Sequence, residues 1–147
     1  MNLVIGIGNE TRGDDAAGPL VARRVAEAAR PGLRVIEAMC EPAALMDAWA
    51  GEARVFVTDA CAPLVQSGHI HRFEAHAARL PEALGAVSSH GIGLGMAIEL
   101  ARALNALPRE LIVFAIEGAD FAPGAALSPP VAAAIEDVAR RILAEAG

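Results

Sequence analysis

Four short apolar runs, separated by stretches of helical periodicity, constrain this chain more than any other feature. They cover residues 3–7, 33–38, 54–59 and 111–116. Continuous apolar runs of this length are the mark of strands buried on both faces. Between them lie amphipathic or helix-forming stretches at 16–29, 42–50 and 91–107, and a further helix begins at Pro129, with Ser128 as its cap. Residues 69–75 (HIHRFEA) differ, alternating polar and apolar as a half-exposed strand does. The predicted order is β-α-β-α-β-β-α-β-α. Apolar strands alternating with helices build a parallel sheet covered on both faces. The alternating strand follows its predecessor across a short Pro/Gly-containing loop, 62–68, with no crossover helix. So short a connection favours an antiparallel neighbour or an edge strand. The expected architecture is a three-layer α/β/α sandwich with a mixed five-stranded sheet, mostly parallel with one antiparallel strand.

A chain of 147 residues is long enough to bury a core as one domain, 1–147. Aromatic residues make up only 3%, with no Tyr and the single Trp49, so that core must be aliphatic. The net charge of −6 and the lack of a basic cluster argue against nucleic acid as a partner. No apolar run approaches the ~18 residues of a membrane span. The first residues carry no basic segment or cleavage site of a signal peptide. Cys40 and Cys61 form neither a CxxC nor a disulfide framework. The composition fits a cytoplasmic protein with free thiols, and no heptad or broad apolar stripe demands a partner, so a monomer is expected.

In open α/β sheets, ligands bind beyond the carboxyl ends of the strands, where strand order reverses. The polar groups placed there are Asp14 and Asp15 after the first strand, Asp59 at the end of the third, and Ser88, Ser89 and His90 before a helix. If the first and third strands are neighbours, these groups converge. Two carboxylates and an imidazole suit a borderline divalent metal such as nickel or zinc, with a position left open. The plainer reading makes Asp14 and Asp15 helix caps, Asp59 a strand-end residue bonded to loop amides, and His90 a helix-start residue with a satisfied ring. Gly6-Ile7-Gly8-Asn9 invites a dinucleotide reading, but position 11 is Thr and only Glu37 is placed as a ribose acid. Unusual backbone angles or close approach explain those glycines better. There is no GxSxG and no HExxH. Cys61 reads as a small buried residue. His69 and His71 share one side of a strand and could bind a metal, although an exposed pair is the simpler reading; His76 reads as a loop residue.

Taken in order, the motifs resemble those of the hydrogenase maturation proteases. Gly6-Ile-Gly-Asn9 with Arg12-Gly-Asp-Asp15 and Gly18 is similar to the family's opening, and Val57-Thr-Asp59-Ala60 to its second motif. Ser88-Ser89-His90 with Gly93-Leu94 is similar to the third, and Ile116-Glu117 with Leu127-Ser128-Pro129 to the C-terminal signature. The resemblance implies an α/β/α sandwich with one antiparallel strand. It implies an endopeptidase that removes the C-terminal tail of a [NiFe]-hydrogenase large-subunit precursor, with the nickel carried by that precursor. Residue by residue, it places the metal-binding and catalytic roles on Asp15, Asp59 and His90. Two departures stand out. Some members have Glu where this chain has the shorter Asp15, and Ala38-Met39-Cys40-Glu41-Pro42 replaces a Gly-Gly-Thr turn. Two rivals differ in class: a nickel-sensing chaperone that holds the precursor without cutting it, and a Rossmann-like nucleotide-binding enzyme, which tight binding of a nucleotide would reveal.

Overall fold

The computed structural model describes residues 2–81 and 93–147. Five strands form one sheet: β1 (Asn2–Ile7), β2 (Leu33–Ala38), β3 (Arg54–Cys61), β4 (Ile70–Glu74) and β5 (Glu110–Glu117), in the order β2-β1-β3-β5-β4. All neighbours run parallel except β4, which lies antiparallel to β5 at the edge. The mixed sheet agrees with the sequence reading. The position of β4 is a finer result. It does not pair with β3, which precedes it, because β5 inserts between them. The loop after β3 therefore crosses one strand, a gap of about 10 Å between β3 and β4 that a loop of this length spans easily.

Helices α1 (Ala17–Glu27), α2 (Pro42–Trp49), α3 (Leu94–Ala103) and α4 (Pro129–Ala146) cover the sheet. Strand side chains alternate between faces, so one run of residues feeds two cores. Leu3, Ile5, Val55, Val57, Leu111 and Val113 pack against Leu45 and Trp49 of α2 and Ala97 and Ile98 of α3. Val4, Phe56, Ile112, Phe114 and Ile116 pack against Val21 and Val25 of α1 and Val131, Ile135 and Val138 of α4. Trp49, buried in the first of these cores, donates Nε1–H to the Ala106 carbonyl at 2.8 Å. The helix ends give one cap the sequence reading did not name and one it named that is not made. Glu41 caps α2, its carboxylate accepting from the amides of Ala43 and Ala44 at 3.1 and 2.8 Å. Ser128 precedes α4 but makes no side-chain cap; its hydroxyl is used elsewhere, as shown below.

The sheet also explains Gly6 and Gly18. A Cβ on Gly6 would lie 2.3 Å from the Gly18 carbonyl oxygen, and one on Gly18 would lie 2.0 Å from that of Ile7. These glycines let α1 sit directly on β1, which fixes the start of the helix over the carboxyl end of the sheet. Close approach accounts for them without a nucleotide. Glu37, the other half of that rival, forms a two-pronged pair with Arg23 at the surface.

Candidate functional site

At the carboxyl ends of β1, β3 and β5 lies a cleft of about 390 Å³. Among the described residues its lining includes Asp15, Asp59, Cys40, Cys61, Met39, Phe73, Ala115 and Phe121. The condition set by the sequence is met, since β1 and β3 are neighbours. Asp15 and Asp59 therefore face one space. Ser88, Ser89 and His90 lie outside the described residues.

The two acids of Asp14-Asp15 part company. They lie in a single 3-10 turn, Gly13–Ala16. Gly13 adopts φ +56°, and a Cβ there would lie 2.2 Å from the Asp120 carbonyl oxygen. The turn buries Asp14 completely. Its carboxylate accepts from the amides of Ala119, Asp120 and Ser128 and from the Ser128 hydroxyl, at 2.7, 3.1, 2.8 and 2.7 Å. Burial pushes the Asp14 carboxyl up, but these donors together outweigh it and hold it below the ordinary carboxylate value. Neither Asp caps a helix as the plainer reading has it. Asp14 instead ties the segment after β5 to the start of α1, and Ser128 is its partner rather than a cap.

Asp15 is half-buried and accepts one bond, from the Asn9 amide to Oδ2 at 2.7 Å. Its other oxygen has no hydrogen bond among the described residues. Asp59 is also half-buried. Burial first, and the charge of Asp15 second, push the Asp59 carboxyl up to about 8, with the Ala60 amide opposing weakly. Two carboxylates that repel across an open space are poised to gain from a cation.

The two thiols do not supply a nucleophile. Burial, with the charges of Asp59 and Glu41, pushes the Cys40 thiol up to about 12. Burial, with Glu117 and Asp59, does the same for Cys61. Neither is a thiolate near neutral pH, which agrees with the reading of Cys61 as a small buried residue.

Glu117 is the residue that sequence reasoning under-read. It ends β5 fully buried. Its Oε1 accepts from the amides of Leu64, Val65 and Gln66 at 2.6, 2.8 and 3.0 Å, and Oε2 meets His71 Nε2 at 2.6 Å. Burial pushes its carboxyl up, but these donors prevail and hold it low. The expected exposed histidine pair is corrected accordingly: the His71 side chain is only 19% exposed and is fixed by a buried acid. The signal was present, because an acid closing an otherwise apolar strand needs donors inside the protein. His76, in the loop after β4, accepts from the Leu111 amide at 3.0 Å.

A parallel-majority sheet with its cleft at a strand-order switch, and two acids facing it, defines an α/β protein with an acidic cleft. The particular family follows from comparison. The family model of the hydrogenase maturation protease HycI matches residues 19–145, and the chain belongs to that family of proteases. The matched span contains Asp59 and begins after Asp15. Comparison with curated protein sequences finds no match. Among solved structures, the hydrogenase maturating endopeptidase HybD from E. coli superposes with a TM-score of 0.79 at 20% identity, over 98% of this chain and 90% of that one. The endopeptidase HycI from Escherichia coli gives 0.78 at 23%, over 100% and 92%. The [NiFe] hydrogenase maturation protease HycI from Thermococcus kodakarensis KOD1 gives 0.75 at 24%, over 96% and 88%. At this identity the likeness shows the fold. Among the described residues, no helix is long and apolar enough to cross a membrane.

Proposed function

We propose that this protein is an endopeptidase that removes the C-terminal tail of a nickel-loaded [NiFe]-hydrogenase large-subunit precursor. It acts as a single-domain, cytoplasmic monomer, and its cleft recognises the nickel already installed in the client. The observation that carries this reading is the pairing of Asp15 and Asp59 in one cleft, with Asp59 driven towards its neutral form when no cation is near. A client that brings a divalent metal makes it favourable for both groups to be carboxylates; a client without it leaves Asp59 protonated and the pair without its second charged ligand. The cleft therefore discriminates loaded from unloaded precursor by charge. In this reading Asp15 and Asp59 act with His90, which the sequence assigns to the same set.

The nickel supplies Lewis acidity at the scissile segment once the client is docked. Asp15 contributes through the oxygen that Asn9 leaves free. Asp59 contributes as its carboxylate, giving up its proton as the cation approaches. Burial raises both the Cys40 and the Cys61 thiol, which makes them poor nucleophiles, and in this reading water is the attacking group. Intact-mass measurement of a nickel-loaded precursor incubated with the protein, beside a nickel-free control, tests the reading. Loss of a C-terminal peptide only from the loaded sample is expected. A complex that forms without any mass change would instead make the protein a nickel-sensing chaperone.

A further inference from the structure

A second set of ligand groups lies at the start of β4 and the end of β5. The strand registers bring Asp59, Ala115 and His71 into one row across β3, β5 and β4. In-register neighbours point to the same face of a sheet, so His71 looks out on the same side as Asp59. Two strand spacings put the two residues about 10 Å apart, with the small Ala115 between them. The next row pairs Cys61 with Glu117, and Glu117 donates its amide to the His69 carbonyl at 3.0 Å. His69, His71 and Glu117 thus form a cluster distinct from the Asp15–Asp59 pair. One ligand atom from each lies within 4.8 Å of the others.

The cluster is held in place on every side. The ring centroids of His69 and His71 lie 4.6 Å apart with planes at 69°, and Phe73 stacks behind His71 at 6.0 Å and 7°. Three backbone amides occupy Oε1 of Glu117, leaving Oε2 turned to the His71 ring. Two imidazoles and one carboxylate oxygen are a ligand set for a divalent first-row transition ion, and three ligands leave room for a fourth from outside.

We propose that His69, His71 and Glu117 form a second binding site for a divalent transition-metal ion, about two strands along the sheet from Asp59. In the metal-free protein a ring proton on Nε2 of His71 donates to Oε2 of Glu117. On binding, that proton moves to Nδ1, the other neutral tautomer. Nε2 and Oε2 then separate from 2.6 Å to the ~3.3 Å that two ligands about 2.0–2.1 Å from a tetrahedral ion require. A small rotation of the His71 ring provides this, while the amides keep Glu117 fixed. The site concerns the isolated chain and zinc alone, so it stands or falls independently of the client and of cleavage.

The test is zinc binding by the full chain after treatment with a chelator, read by competition with a chromophoric chelator. The background is the Asp15→Ala/Asp59→Ala double variant, which removes the first pair. One zinc per chain is expected to remain there. Adding His69→Ala, which disturbs no side-chain hydrogen bond among the described residues, should weaken that zinc by at least about tenfold. Cobalt should give the intense visible absorption of a tetrahedral site in the double variant and lose it with His69→Ala. A double variant that binds no zinc, or one whose affinity and cobalt spectrum His69→Ala leaves unchanged, would overturn the site and leave the cluster as an ion pair that anchors the 64–66 loop.

Discussion

Asp14 and Asp15 are adjacent in sequence, and the protein uses them in opposite ways. Asp14 shares its behaviour with Glu117, and Asp15 shares its behaviour with Asp59. The first pair is fully buried and saturated by backbone amides, so each acid is held below its ordinary value. The second pair is half-buried, faces an open cleft and has few donors, so burial and the charge of Asp15 drive Asp59 up to about 8. Burial alone does not decide what an acid does in this fold. The number of donors aimed at it decides whether it holds the structure together or waits for a ligand.

That contrast can be broken most sharply at Asp59. Asp59→Asn is expected to reduce cleavage of a nickel-loaded precursor by at least about a hundredfold, since even an indirect ligand partner costs 10- to 100-fold. Single-turnover mass spectrometry measures this. Asp15→Ala should behave likewise, and a variant of either residue that cuts at the wild-type rate would remove it from the site.

Asp14→Ala should act on stability instead. It strands the amides of Ala119, Asp120 and Ser128, at a cost of about 3 kcal/mol. That is a fall in Tm of roughly 10 °C for a chain of this size, readable by calorimetry. Glu117→Gln, which keeps the shape but loses the charge on the 64–66 amides and His71, should cost about 1–2 kcal/mol. Equal destabilisation by Asp15→Ala would erase the distinction between the two pairs.

The pairs also respond to pH with opposite sign. Asp14 and Glu117 have folded-state values below their unfolded ones. Their stabilisation is present above about pH 4.5 and is lost as pH falls through the folded values. Asp59 has a folded value above its unfolded one, 8 against 3.8. Between those values the unfolded chain binds fewer protons, so Asp59 lowers stability increasingly as pH rises. Asp59→Asn should therefore stabilise the metal-free protein at pH 7, with the gain gone near pH 4. A denaturation series over pH for both proteins checks the sign.

A last effect is expected in the pH profile of catalysis. The ligand form of Asp59 is its carboxylate, so kcat/KM should rise with pH towards about 8 and level off, because kcat/KM reports the free enzyme. A profile flat from pH 6 to 9 would count against Asp59 as a group that must lose its proton.

Much of this was legible in the chain itself. The apolar runs gave the parallel strands, because only a strand covered on both faces is apolar throughout. HIHRFEA gave a half-exposed strand by its alternation, and the short loop before it an antiparallel or edge place. The positions of Asp15 and Asp59 followed from the rule that ligands gather at strand ends beside a switch in order. Periodicity reports which face of an element is buried, and the layers follow from that alone.

What the sequence did not carry was the set of donors around each acid. Asp14 and Asp15 look alike as letters, and both suit a helix start. Only the folded chain brings the amides of residues 119, 120 and 128 to Asp14, across more than a hundred positions, and leaves Asp15 with the single amide of Asn9. The insertion of β5 between β3 and β4 likewise joined Glu117 to His71, which no spacing in the sequence foretells. The sequence by itself determined the layers, the sheet and the end of the sheet where chemistry could sit, because burial patterns are local and repeat along the chain. Tertiary structure alone decided which carboxylates are anchors and which are open to a metal, because hydrogen-bond donors reach an acid through space and not along the chain.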